Sequence, residues 1–531
     1  MPTTGKDVKP NLNWPFIALI LFCIAVYAPL VIHGGIIVDD WGDIAHNLDC
    51  NGFIHCYQTW FPLFSNRPLA PLPITLSTFI FGNFFKGYLL LNSLVYLSAV
   101  LITRRALSQV IGSSASIMFA LFAVIPFIAM PVITSPINQL TATVSFLLWA
   151  LSTASLMQYL NHQKTAAYIL SYVYLLLAFL NYEVILPLLI ITALIPFVLN
   201  ANHLQRHYFN YFFRFITPLA LVLGIVVLWQ KGIAPHFMDV DSRLKISPAD
   251  MLAKLHTWGH VFYAQIPALF IKSLNHATVF QIFTSLVLIL CAWLTYGDHA
   301  SSTTSSAVRY RFFMVSALCF ISSSSIFILS NESANSWGYQ ARGLSSTWFA
   351  LSILIASFAS FITSRKSIIL VLITIFGFFS CLAFLIQRDN YIKSWELQMV
   401  IIEDAIKLIK SQSVPPKAVV IGDVPKFVNP NFNDEIVFSQ PWDFGGALSI
   451  FTQGQVKDGA VIDSRNKNFN RLIVSNQNIS LNGWWETSFD NLWLYEFNPT
   501  NQNGKLSKIH SAADFQEKLG QLGFTPNQAK K

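Results

Sequence analysis

From Trp14 to Ile386 one pattern recurs: long apolar runs whose middles carry no Asp, Glu, Lys or Arg, parted by short polar stretches. A run of about 20 such residues, rising 1.5 Å each as a helix, matches a hydrocarbon layer roughly 30 Å thick. Inside lipid no water meets the backbone N–H and C=O groups, so a crossing segment must satisfy them within itself, as a helix does. The pattern therefore fixes the class as a polytopic α-helical membrane protein. Composition agrees, with 54% hydrophobic and only 11% charged residues in a chain of 531. The mean hydropathy of +0.51 is beyond what a soluble chain of this size needs.

The net charge of +8 then reads as basic residues flanking spans on the cytoplasmic side, with no nucleic acid involved. With Lys6 and Lys9 inside, Trp14–Ile32 crosses outward as a retained signal-anchor, and residues 33–87 form the first outer loop. Tyr88–Thr103 returns to Arg104 and Arg105. Pro68–Phe84, with three prolines, reads as an interfacial or re-entrant helix. Further crossings are expected at Ser114–Pro131, Leu140–Leu160, Ala166–Leu180, Val184–Leu199, Tyr211–Trp229, Val279–Tyr296, Phe312–Ser330, Thr347–Ile362 and Ile368–Ile386. That makes about eleven spans, with the N-terminus inside and the C-terminus outside. Ser247–Leu274 interleaves polar and apolar residues and reads as an amphipathic helix on the outer surface.

Beyond Gln387 the chain changes character. "DNYIKSWELQMVIIEDAIKLIKSQ" has helical periodicity, "KAVVIGD" reads as a buried strand, and "NLWLYEFNP" as another. Residues 1–387 are thus expected to form the membrane domain. Residues 388–531 should form a small α/β or α+β domain outside the membrane, on the outer side.

Against so little charge, "VDDWGDIAHNLDC" after the first run is conspicuous, with Asp39, Asp40, Asp43 and Asp49 close together. Arg67, Glu183, Glu332 and Arg342 fall on the same expected face. An ion-coupled transporter would place ionisable groups at mid-membrane depth, so this distribution favours a site at the outer water–lipid boundary. Asp39 has a bland alternative as a helix cap, and Asp43 with His46 could be a solvated helix face. Cys50 and Cys56 share one polar loop, so a disulfide is expected if that loop is in an oxidising compartment. Trp60, Trp258 and Trp337 could stack on sugar rings or serve as ordinary interfacial tryptophans.

The order "VDDWGDIAHN", "NRPLAPL", "KGYLLLNSLVYL" and "LAFLNYEVILPLL" resembles the GT-C glycosyltransferases. These are membrane enzymes that take a sugar from a polyprenyl-phosphate carrier, among them protein O-mannosyltransferases, lipid A aminoarabinose transferases and Gtr-type O-antigen glucosyltransferases. The motifs cover Trp14–Leu189; the lysine the family often carries before the glutamate is Tyr182 here. The resemblance implies a GT-C-like bundle with periplasmic interfacial helices in a bacterial inner membrane. It implies an inverting transfer of a sugar, a hexose by preference, to an envelope glycan, lipid or protein. Asp40 is the first choice as base and Asp39 the partner or alternative. Arg67, Glu183, Arg342, Tyr339, Tyr182, His46 and Asp43 would bind substrate or phosphate. No metal ligand set is assigned, although some members use Mg or Mn held by acidic residues. The alternatives are a non-catalytic carrier-lipid flippase or assembly subunit, or a polysaccharide polymerase.

Overall fold

The computed structural model describes residues 14–48, 50–199, 201–237, 248–297, 305–329, 332–362, 366–429, 431–464, 468–469, 472–475, 477–481 and 485–524. Asp49 lies outside the described residues. Helices run from α1 (Trp14–His33) through α2 (Asp39–Leu48), α3 (Phe53–Trp60), α4 (Pro71–Phe81), α5 (Phe85–Ile111) and α6 (Ser113–Ala123). A single turn, α7 (Pro131–Thr134), precedes the hairpin of α8 (Leu140–His162) and α9 (Thr165–Asn181). Then come α10 (Leu189–Leu199), α11 (Ala201–Leu228), α12 (Pro248–His260), α13 (Ile266–His276) and α14 (Val279–Gly297). The series continues with α15 (Ser306–Ser322), α16 (Ser325–Ile328), α17 (Ser345–Phe361) and α18 (Lys366–Ser411).

Among the described residues six helical segments are long and apolar enough to cross a membrane: Phe16–His33, Phe85–Ile111, Leu140–His162, Phe212–His236, Ser306–Ile328 and Gly338–Phe361. The expected count of eleven is not reproduced, and proline accounts for part of the difference. Pro126 and Pro131 cannot donate to a helix, and α6 stops at Ala123. Pro187 lies in a 3₁₀ turn, Glu183–Leu188, that shortens the next apolar run. The proline-rich 68–84 stretch yields only the 11 residues of α4.

Three hydrogen bonds from polar side chains tie elements inside the bundle together, a pairing that a lipid environment rewards. Asn92 Nδ2 donates to Val132 O at 2.9 Å, and Thr143 Oγ1 donates to Asn92 Oδ1 at 2.7 Å. Asn181 Nδ2 donates to Thr141 O at 2.6 Å, tying α9 to α8.

Helix α18 has 46 residues, a length of about 70 Å, well beyond a bilayer's hydrocarbon core. Its apolar first half packs in the bundle. Its second half buries Ile401, Ala405 and Ile409, one helical stripe, against the C-terminal domain. That domain holds a five-stranded sheet in the order β3-β2-β1-β7-β8. β1 (Ala418–Asp423) is parallel to β2 (Val456–Asp463) and to β7 (Leu492–Asn498). β3 (Asn468–Phe469) and β8 (Asn503–Lys508) pair antiparallel at the two edges. A three-stranded antiparallel sheet of β4 (Leu472–Val474), β5 (Asn478–Leu481) and β6 (Trp485–Ser488) stands beside it. Every residue of β1 is buried, as expected for a central parallel strand. α19 (Pro441–Phe451) links β1 to β2, and α20 (Ala512–Gln521) follows β8.

The carboxyl end of β1 leads into residues 424–429, and residues 431–440 return to the helical part. Gly338 N donates to Asn433 O at 2.9 Å, Asn433 Nδ2 to Gln387 Oε1 at 2.7 Å, and Lys272 Nζ to Phe432 O at 2.9 Å. The two parts of the chain therefore share a hydrogen-bonded seam, and one end of that seam adjoins Tyr339.

Candidate active site

Helix α2 carries the acidic pair in its first turn, where the helix dipole favours negative charge. The chain enters it through Val38 at φ 50°. A β-branched residue is strained there, at a cost on the order of 1–3 kcal/mol. Burial of Val38 and the grip on the following residues hold it. Trp41 Nε1 donates to Gln398 Oε1 of α18 at 2.7 Å, and its ring stacks on Trp395. Gly35 lies so near Trp395 that a Cβ there would sit 2.0 Å from the ring. Farther along, Asn47 donates to Thr78 Oγ1 at 2.9 Å and accepts from Trp60 Nε1 at 2.6 Å.

The two aspartates point in different directions, since adjacent helical positions are turned about 100° from one another. Asp40 is 0% exposed. Its Oδ1 accepts from Ser135 Oγ at 3.0 Å, Ile137 N at 3.1 Å and Asn138 N at 2.9 Å, and its Oδ2 from Ile37 N at 3.3 Å. Burial pushes its carboxyl up to about 7, against the downward pull of those four donors. Asp39 has a side chain 20% exposed. Its Oδ2 accepts from Tyr339 Oη at 2.8 Å and lies 3.6 Å from Arg342 Nη1, while its Oδ1 accepts from Trp442 Nε1 at 3.0 Å. The carboxylate of Asp40, the first choice as base, is turned into the protein and bonded to the polar turn 135–138. Asp39 is the acid of the pair that reaches solvent.

Around Asp39 the structure gathers several of the expected residues. Arg342 lies with its guanidinium 4.0 Å over the Tyr339 ring. Arg67 forms a two-pronged ion pair with Glu183, Nε to Oε2 at 2.6 Å and Nη2 to Oε1, and sits 4.3 Å over the Tyr182 ring. Tyr182 is within electrostatic reach of both arginines, which joins the two pairs into one half-exposed patch. The aromatic ring at 182 gives Arg67 a face to stack on, which a lysine there, itself a cation, would not provide.

Other expectations fare differently. Asp43 is 7% exposed rather than solvated, and its Oδ2 has no hydrogen-bond partner. Burial and then the neighbouring Asp39 and Asp40 hold its carboxyl well above the usual range. His46 Nε2 is 3.1 Å from Thr59 Oγ1, and its ring packs on Trp60 at 4.4 Å. Trp60 is buried and committed to Asn47, so it offers no open face. Trp337 carries Lys272 Nζ 4.5 Å over its ring, and Trp258 packs on Phe262 and Phe320. Cys50 and Cys56 are thiols, so the expected disulfide is not made. Each sulfur instead lies within reach of a carbonyl at the end of α2, Cys50 of His46 O at 3.3 Å and Cys56 of Asn47 O at 3.5 Å. Among the described residues no three His, Cys, Asp or Glu side chains are grouped to hold a metal ion.

Two contributors were not expected: the 135–138 turn beneath Asp40, and Trp442 from the C-terminal domain. The only local signal for Trp442 is a helix start. "SQPWD" puts proline at the first position of α19 and Asp443 at the third, where it completes a capping box with Gln440.

No family model and no curated protein matches the chain. Among solved structures it is similar to the crystal structure of ArnT from Cupriavidus metallidurans bound to undecaprenyl phosphate. Identity is 13%, with 91% of this chain and 93% of that one covered and a TM-score of 0.35. It is likewise similar to the same protein in the apo state, with 12% identity, the same coverage and a TM-score of 0.34.

Proposed function

We propose that this chain is a membrane-embedded glycosyltransferase that moves a sugar from a polyprenyl-phosphate carrier to a hydroxyl of an envelope glycan, lipid or protein. One observation carries the reading: a partly exposed carboxylate, Asp39, lies 3.6 Å from Arg342 Nη1 in an aromatic patch that also holds Arg67. The sequence motifs that resemble GT-C enzymes include this acid and Arg67.

The chemistry asks for both charges. In an inverting transfer the acceptor hydroxyl attacks the anomeric carbon from the face opposite the phosphate. Asp39 takes the hydroxyl proton as the new C–O bond forms. The old bond from the anomeric carbon to the phosphate oxygen breaks, and its electron pair leaves with the phosphate. Negative charge grows there, and Arg342, with Arg67 beyond Tyr182, is placed to stabilise it. The carrier's tail requires lipid and the acceptor requires water, so the reaction belongs at their boundary. We place that boundary on the periplasmic side of a bacterial inner membrane, with residues 388–531 outside and 1–387 forming the membrane domain.

The test is Asp39→Asn, scored by mass analysis of envelope glycans from cells with the chain, without it, and with the variant. The expected result is a chain-dependent sugar that vanishes in the variant while the protein still accumulates in the membrane. A variant that leaves the glycan unchanged overturns the reading. An effect on glycan export or chain length, with no sugar lost, would point to a flippase or polymerase instead.

A further inference from the structure

Asp39 is held from two sides, and the second hold comes from a part of the chain about 400 positions away. α19 lies directly on α2. A Cβ at Gly42 would come within 3.1 Å of the Trp442 ring, and one at Gly446 within 2.9 Å of Trp41 O. Larger residues at either place would push the helices apart. The first turn of α19 is itself fixed, because Asp443 Oδ2 accepts from Ser439 N at 2.6 Å and Gln440 N at 2.9 Å, and Oδ1 from Phe444 N at 2.7 Å. From that fixed turn the Trp442 indole N–H reaches Asp39 Oδ1.

We propose that Trp442 is a positioning residue for transfer: it locks the Asp39 carboxylate in one orientation and makes the docked C-terminal domain a condition of its work as base. This inference rests on the functional reading above. Tyr339 and Arg342 engage Oδ2 alone, and a carboxylate held at one oxygen can still turn about its last bond. A donor on the other oxygen removes that freedom. Each carboxylate oxygen has two lone pairs, so Oδ1 can take the indole N–H and still face an acceptor hydroxyl.

Trp442→Phe keeps an aromatic ring and deletes the N–H, so it removes the hold on Oδ1 and leaves Tyr339 and Arg342 in place on Oδ2.

The experiment has two arms on the full chain. In the first, ¹⁵N-tryptophan labelling in lipid nanodiscs gives indole N–H signals, and the one missing in Trp442→Phe is assigned to residue 442. That signal should move in Asp39→Asn, where a neutral amide replaces the charged acceptor. A signal at the same position in both proteins overturns the contact. In the second arm, envelope membranes carrying their own donor and acceptor are assayed for the chain-dependent glycan. Trp442→Phe should lower the rate at saturating acceptor about tenfold, the scale of one hydrogen bond to a charged group, with the apparent KM for the acceptor unchanged. If Asp39→Asn stops the product but Trp442→Phe keeps the wild-type rate, the inference is wrong and the functional reading stands. If Asp39→Asn leaves the product unchanged, the functional reading itself is wrong.

Discussion

The two faces of α2 differ as much as two neighbouring positions can. Beneath Asp40 lies a closed hub, where four donors converge on one carboxylate. Around Asp39 lies a half-open patch of two tyrosines, two arginines and one tryptophan. The first arrangement holds the backbone of α2 against the 135–138 turn; the second leaves a charged group where a substrate can meet it. The adjacent acidic pair thus divides its labour, one member anchoring the helix that presents the other.

The largest effect that sharpens this contrast is on chemistry. Asp39→Asn should cut transfer by roughly 10²-fold or more, the range for a lost general base, while leaving the melting temperature close to wild type. Asp40→Ala should do the reverse. It strands four buried donors and should cost about 3 kcal/mol or more of stability, seen as a lower melting temperature in detergent. What activity survives should follow the amount of folded chain. If Asp40→Ala melts normally and abolishes transfer, the two roles have been read the wrong way round.

How much of this was legible beforehand follows from the range of the forces involved. The apolar runs and the "KAVVIGD" strand depend on residues near in sequence, and α1, α5, α8 and β1 appear close to where periodicity puts them. The acidic cluster and both arginines were visible because charge is rare in this chain. Which aspartate points outward was not visible, since it depends on the 135–138 turn nearly a hundred positions later. Trp442 is farther still, and no local pattern links it to Asp39. The shortening of α6 is written in Pro126 and Pro131, which leave the run apolar and so do not interrupt its hydropathy.

The seam between the helical part and residues 424–440 offers a smaller effect. Glu435 is fully buried beside Asn390, and neither carboxylate oxygen has a hydrogen-bond partner. Burial pushes its carboxyl up to about 8. Folding then raises the pKa above its unfolded value, so the folded chain keeps a proton that the unfolded chain releases. The contribution to stability is full below the ordinary glutamate range and is lost as pH rises through 8. Asp40 and Asp443, each pushed up to about 7 by burial, act with the same sign. The melting temperature should therefore fall between pH 5 and pH 8. Glu435→Gln should flatten part of that slope by raising stability at the alkaline end. A slope unchanged in the variant would mean that Glu435 is not the group that titrates.

The smallest effect tests whether Arg67 belongs with the patch or only with Glu183. Their side chains are 22% and 40% exposed, so water and salt screen the pair. Its coupling in a double-mutant cycle of Arg67→Ala and Glu183→Ala should be only about 0.2–1 kcal/mol. A weak pair leaves the guanidinium available to an incoming phosphate, because little is lost when Glu183 gives up part of its hold. Glu183→Gln should then barely alter stability, whereas Arg67→Ala should weaken donor use, read as a higher apparent KM for the carrier-linked sugar at little change in the melting temperature. A coupling of several kcal/mol with no change in donor use would make the pair a brace between the first outer loop and the α9 end. Arg342 would then face the leaving phosphate alone.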